Sequence, residues 1–200
     1  DLILKNPCNS IDNKYKPKRT ASTRCYLTLQ EVKKIIKMDY DPKCGIKGAF
    51  LFCCFTGLRY SDVQRLTWGD IKTNSNGDLQ IESKMKKTGK DMFVPLSKNA
   101  LEFLPKKGDA TDDAKVFPRL PKTAAMTNHY MRRFEEFTGI QKHITFHVSR
   151  HTFATMAITY GADLYTVSKL LGHSNIQVTQ VYAKIVDENK RKAVNLIPKV

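Results

Sequence analysis

Five stretches of this 200-residue sequence carry side chains whose types and spacing could do chemistry. Thr56-Gly57-Leu58-Arg59 sets an arginine just past an apolar run and close to Asp62. In Phe146-His147-Val148-Ser149-Arg150-His151, His147 and Arg150 stand at i and i+3 and share one face of a helix. Leu171-Gly172-His173 places a histidine after a helix-stopping glycine, and Tyr182 follows nine residues later. Lys84-Met85-Lys86-Lys87-Thr88-Gly89-Lys90 is a lysine-rich turn. Singly, each has an ordinary reading: a surface ion pair, structural histidines, half-buried tyrosine packing or a solvated hairpin tip. Together they make a cationic clamp almost without carboxylates. Such a clamp suits stabilising the oxygens of a phosphoryl group in transfer without metal. A tyrosine can supply the nucleophile, and a lysine can protonate a leaving alkoxide.

What the sequence lacks narrows the chemistry further. No Asp and Glu cluster at helical spacing could hold two Mg²⁺ ions, which argues against a two-metal nuclease or polymerase. Neither a phosphate-binding Gly-x-x-x-x-Gly-Lys-Ser/Thr loop nor a Gly-x-Ser-x-Gly elbow occurs. The five cysteines, Cys8, Cys25, Cys44, Cys53 and Cys54, show no zinc spacing, and Cys53 and Cys54 read as small core residues. No metal and no cofactor is therefore expected. Lys plus Arg is 34 against 19 Asp plus Glu, a formal charge of +15. That excess opposes compaction and calls for a polyanionic partner, nucleic acid before a membrane surface. There is no apolar run of about 18 residues. A reducing, cytoplasmic compartment is expected.

The elements that must position these groups are legible in outline. Residues 1–25 are basic and poorly periodic, with Pro7 and Pro17, and read as an arm or interdomain linker. Thr28-Leu29-Gln30-Glu31 is a capping box opening a helix over 29–38. A buried helix spans 46–56 and stops at Gly57, and Ser61-Asp62-Val63-Gln64 offers a second capping box. Ile71, the turn Asn74-Ser75-Asn76-Gly77, Leu79-Gln80-Ile81 and Met92-Phe93-Val94 read as a small antiparallel sheet that ends at Pro95. Helices are predicted over 97–103, 122–137, 146–160, 164–171, 175–183 and 187–196, with Asp163 and Ser174 as N-caps. Trp68 reads as core at the helix-to-sheet corner. The fold class is α+β, mainly α-helical, with one three-stranded antiparallel sheet.

The set Thr56-Gly57-Leu58-Arg59, Lys87, His147-x-x-Arg150, Leu171-Gly172-His173 and Tyr182 resembles the tyrosine recombinases, or phage integrase family, in order and approximate spacing. The resemblance runs from about Leu27 to Tyr182. Thr28–Ile35 and Tyr182-Ala183-Lys184-Ile185 look like integrases of conjugative transposons and prophages. The resemblance implies the tyrosine recombinase catalytic-domain fold and strand breakage and rejoining through a 3′-phosphotyrosyl link, without ATP. Tyr182 is then the nucleophile. Arg59 and Arg150 grip the non-bridging oxygens, His147 assists proton transfer, His173 hydrogen-bonds the phosphate and Lys87 protonates the leaving 5′-oxygen. Lys87 lies eight residues before Pro95, as the family's lysine commonly does, and Lys86 is the alternative. Asp62 reads as a support for Arg59, and His151 as structural or supporting. His129 and His143 receive no role.

On the same resemblance, 26–200 is the catalytic domain, preceded by the basic linker 1–25 of a longer protein. The tail 184–200 is expected to dock on a neighbouring protomer, with packing on its own domain as the alternative. The implied partners are double-stranded DNA attachment sites, a homotetramer in the synaptic complex and accessory DNA-bending proteins, with the fragment alone monomeric and no membrane. Two other readings are a type IB topoisomerase and a DNA-binding module that has lost catalysis. The complete set of Arg59, Lys87, His147, Arg150, His173 and Tyr182 argues against the second.

Overall fold

The computed structural model describes residues 6–12, 14–16, 24–40, 42–86, 89–173 and 175–182. Within them, Pro7–Ser10 form a single 3-10 turn in the basic arm. Helix α1 (Leu29–Lys37) starts at Thr28, whose side chain accepts from Glu31 N while the Glu31 carboxylate accepts from Thr28 N at 2.7 Å. This reciprocal cap satisfies two backbone donors that the first turn leaves open. Its inward stripe, Val32 and Ile35, is fully buried. Helix α2 (Ile46–Thr56) is apolar on nearly every side and is buried accordingly. It packs on α4 (Lys98–Glu102), α5 (Ala124–Thr138) and α6 (Phe146–Thr159). Phe50 of α2 meets Phe134 of α5 at 5.2 Å and Phe146 of α6 edge-on at 5.8 Å.

The sheet is antiparallel in the order β1 (Ile71–Thr73), β2 (Leu79–Lys84), β3 (Asp91–Pro95). Its register pairs Ile71 with Ile81 and Ile81 with Val94. Period-two alternation turns Ile81, Met92 and Val94 into the core and leaves Phe93 outside. Trp68, on the 3-10 turn Trp68–Asp70, is buried at the corner where the helices give way to the sheet. Cys53 and Cys54 are fully buried and all five cysteines are free thiols.

Two expected features differ. The capping box at Ser61 does not form: α3 (Tyr60–Val63) is capped by Arg59 without a side-chain hydrogen bond. The Gln64 side chain, which would close the box, instead donates from Nε2 to Pro121 O at 2.6 Å, while the Asp62 carboxylate accepts from Lys86 N at 2.9 Å. The helix predicted over 175–183 is, through Tyr182, two 3-10 turns, Ile176–Val178 and Gln180–Tyr182. Asn175 turns its side chain onto Gln177 N, and the Thr179 hydroxyl bonds to His173, so local side-chain bonds compete with a continuous ladder. After α7 (Leu164–Leu170), these turns carry the chain back across α6. Tyr182 joins Ala154, Ile158, Val167 and Leu171 in a small second core. Ser174, Lys87 and the tail 184–200, including the helix predicted over 187–196, lie outside the described residues.

Candidate active site

Helix α2 delivers the first arginine. Its stop, Gly57, has φ +72°, and a Cβ there would lie 2.6 Å from Phe153 Cδ1 and 3.0 Å from Leu171 Cδ2. Only glycine fits both that dihedral and that approach. The chain then turns outward, and Arg59 caps α3 with its guanidinium 3.8 Å from the Asp62 carboxylate. The same Arg59 Nη1 donates to the Met85 thioether at 3.4 Å. Asp62 also binds Lys86 N, so one buried carboxylate supports the arginine and fastens the end of the β2–β3 hairpin. Lys87, next in sequence, lies outside the described residues.

Arg150 projects from α6 into the gap between the ends of two helices. Its Nη1 donates to Gly57 O at 2.7 Å, and its Nη2 donates to Leu171 O. These carbonyls lie at the C-terminal ends of α2 and α7, where helix carbonyls lack partners and partial negative charge collects. Arg150 is 4% exposed. Burial first, and then the nearby Arg59 charge, pull its pKa down to about 9, so it stays cationic at neutral pH.

The histidines lie on two elements. His147 and His151, at i and i+4 on α6, stand edge-on with ring centres 4.6 Å apart. His147 is exposed and His151 half-buried. His173, after Gly172, shares a 2.9 Å hydrogen bond with Thr179 Oγ1. Burial, then the charges of Arg150 and Arg59, push its pKa down to about 4. Gly172 has φ +59°, and a Cβ on it would overlap the end of the Met85 side chain. Met85 therefore touches both Arg59 and the turn that carries His173.

Tyr182 closes the cluster from the last described turn. It is 4% exposed, and its hydroxyl lies 2.7 Å from His151 Nδ1. Burial raises its pKa, opposed by the charge and hydrogen bonding of Arg24 and by the Arg150 charge. Arg24 stands three residues before Leu27, whose N–H donates to Thr152 Oγ1 on α6 at 2.9 Å across 125 residues of sequence.

The structure thus gathers Arg59, His147, Arg150, His173 and Tyr182 into one site. Two neighbours of Tyr182 were not placed against it from sequence. His151, expected to be structural or supporting, is the histidine beside the phenol, and its i, i+4 spacing to His147 puts it on the same face of α6. Arg24 lies in a segment without periodicity, and nothing local marks it. His129 stacks edge-on with Tyr130, and His143 pairs with Glu135 at 3.1 Å. Among the described residues no group of His, Cys, Asp or Glu is placed to hold a metal ion. The arrangement can bind an oxyanion between two arginines, offer imidazoles for hydrogen bonding and proton transfer, and supply a phenol oxygen as nucleophile.

The chain belongs to the phage integrase family, whose model matches residues 25–189. It is 31% identical to tyrosine recombinase XerC of Caldanaerobacter subterraneus subsp. tengcongensis, over 98% of this chain and 57% of that one. It thus spans little more than half of that relative. Among solved structures, XerA recombinase aligns with TM-score 0.68 and 25% identity over 88% of this chain and 66% of that one. The catalytic domain of bacteriophage HP1 integrase shares the fold at TM-score 0.61 and 24% identity, covering 86% of this chain and 95% of that domain.

Proposed function

We propose that the chain is the catalytic domain of a site-specific DNA recombinase that integrates or excises a mobile element. The observation that carries this reading is the convergence of Arg59, His147, Arg150 and His173 on a single buried tyrosine from separate segments of the chain. In the proposed reaction Tyr182 Oη attacks a scissile phosphate held between the Arg59 and Arg150 guanidinium groups. The P–O5′ bond breaks as the 3′-phosphotyrosyl bond forms. The phenol proton leaves through His147, and Lys87 gives a proton to the departing 5′-oxygen. His173 hydrogen-bonds the phosphate. The 5′-hydroxyl of the same or a partner strand reverses the step, so the phosphodiester energy is kept and ATP is not required. Two such rounds through a Holliday junction recombine two duplexes.

Residues 1–25 act as a linker from a preceding DNA-binding region, and 26–200 as the catalytic domain. The tail 184–200 docks on a neighbouring protomer in a DNA-bound tetramer. The recombinase works in the cytoplasm, and among the described residues no helix is long and apolar enough to cross a membrane.

A nicked suicide duplex of the element's junction sequence, incubated with the chain in EDTA and run on a denaturing gel, tests the reading. A covalent protein–DNA band that is lost in Tyr182→Phe is expected. DNA binding without any band would overturn it in favour of a binding module.

A further inference from the structure

His151 is not among the residues that the family resemblance singles out, yet it is the histidine that touches the nucleophile. Its Nδ1 lies 2.7 Å from the Tyr182 hydroxyl. Five groups face the imidazole: His147 on the same helix, Arg150 beside it, Arg24 from the segment before Leu27, His173 after Gly172, and Tyr182 itself. Burial first, then His147 and Arg24, push its pKa down to about 3. The ring is therefore neutral across the working range and carries one bare nitrogen. Arg24 contributes hydrogen bonding to the phenol oxygen. With Arg24 already donating to that oxygen, the tautomer that pairs best has a bare Nδ1 accepting the phenol O–H. The ring of Tyr182 is packed with Ala154, Ile158, Val167 and Leu171 and is 4% exposed. A buried phenol that donates its proton to an imidazole is not presented to a phosphate in a DNA duplex.

We propose that His151 is a positioning residue, whose Nδ1 accepts from the Tyr182 hydroxyl and holds it in a buried resting position from which it is released to attack. The role differs from that of His147, which is exposed and moves a proton during the reaction. It rests on Tyr182 as the nucleophile. The bond stabilises the ground state and is absent when the oxygen reaches phosphorus, so its removal speeds the first chemical step.

Two measurements on the full chain test this. The first is ¹⁵N spectroscopy of the imidazoles, comparing the chain with Tyr182→Phe, which keeps the ring and leaves His151 in place. The expected result is an unprotonated His151 Nδ1 whose resonance moves to that of a free acceptor nitrogen in the variant. An unmoved resonance, or a protonated Nδ1, would overturn the proposal. The second is the single-turnover rate of covalent adduct formation on the nicked suicide duplex. His151→Phe is expected to raise it about fivefold, the worth of one ordinary hydrogen bond. His151→Gln, which restores an acceptor, is expected to return it to within about twofold of the parent rate. A structural role predicts slowing in both variants, and an unchanged or slower rate in His151→Phe overturns the proposal. If the parent chain forms no adduct, the recombinase reading fails, and the imidazole spectrum still decides the contact.

Discussion

Arg150 owes its strength as a site residue to how little freedom it has. Two of its five donors are committed to Gly57 O and Leu171 O, so the guanidinium plane is fixed before any ligand arrives. A lysine keeps the charge but cannot span both carbonyls. Arg150→Lys is expected to lower unfolding stability by about 1–3 kcal/mol, the cost of leaving a buried carbonyl unpaired. It should also slow adduct formation by about 100-fold or more. Urea denaturation and the suicide-substrate assay read the two effects separately. The half-buried histidines make a different prediction. His151 and His173 have folded-state pKa values of about 3 and about 4, below the ordinary 6.5. The unfolded chain therefore binds more protons between those limits. Stability is fully present above pH 6.5 and is lost as pH falls toward 4. The urea midpoint should drop over that window, and less steeply in His151→Phe. At this scale the family motifs pointed to Arg59, Arg150, His147, His173 and Tyr182 because each stands in a short pattern of its own, and the fold brings those separate patterns together. They did not reveal that His151 pairs with Tyr182, 31 residues away in sequence. That contact depends on the path of two 3-10 turns, which no periodicity announces.

The element on which the site turns is the β2–β3 hairpin. Its anchor is Met85, 4% exposed, lying against Gly172 and accepting from Arg59. A thioether fills irregular gaps well, and here it joins the lysine-bearing hairpin to the turn of His173. Gly172→Ala places a methyl group on Met85 at a backbone angle that favours glycine, and should cost about 1–3 kcal/mol. Met85→Ala should cost about 2–4 kcal/mol. The double variant should lose less than the sum of the two, since the shorter side chain makes room for the new methyl group. Additivity within about 0.5 kcal/mol in a denaturation cycle would show the two residues to be uncoupled. Caps and alternation made most elements readable. Thr28 opens α1 and Asp163 opens α7 as their sequence signals require. The failures at α3 and at 175–183 share one cause. Gln64 and Thr179 carry local cap or helix signals, but their side chains are bound to Pro121 O and His173, partners outside those patterns.

For the molecule as a whole, the +15 charge sets how the chain meets a polyanion. Buried or half-buried cations such as Arg150 and Arg59 account for little of it. In the proposed function most of the excess is left for contacts to a phosphate backbone. The logarithm of the DNA-binding constant should fall linearly with the logarithm of salt concentration, by about 0.9 per phosphate neutralised. A fluorescence titration between low and moderate salt checks the slope, and a slope near zero would mean that the charge faces elsewhere. Composition showed this demand for a polyanion, but not which surface meets it, since net charge has no direction.

The Arg150 bridge has a consequence for when this site comes into being. Gly57 and Arg150 are 93 residues apart, and Leu27 and Thr152 are 125 apart. Contacts so distant in sequence require the long loops between them to be closed. A collapsed or half-folded chain already holds every reactive side chain, yet has no pocket to bring a phosphate to the tyrosine. In the proposed reaction, cutting thus requires completed folding. On that proposal, an incompletely folded copy that binds DNA by charge alone leaves its strands intact.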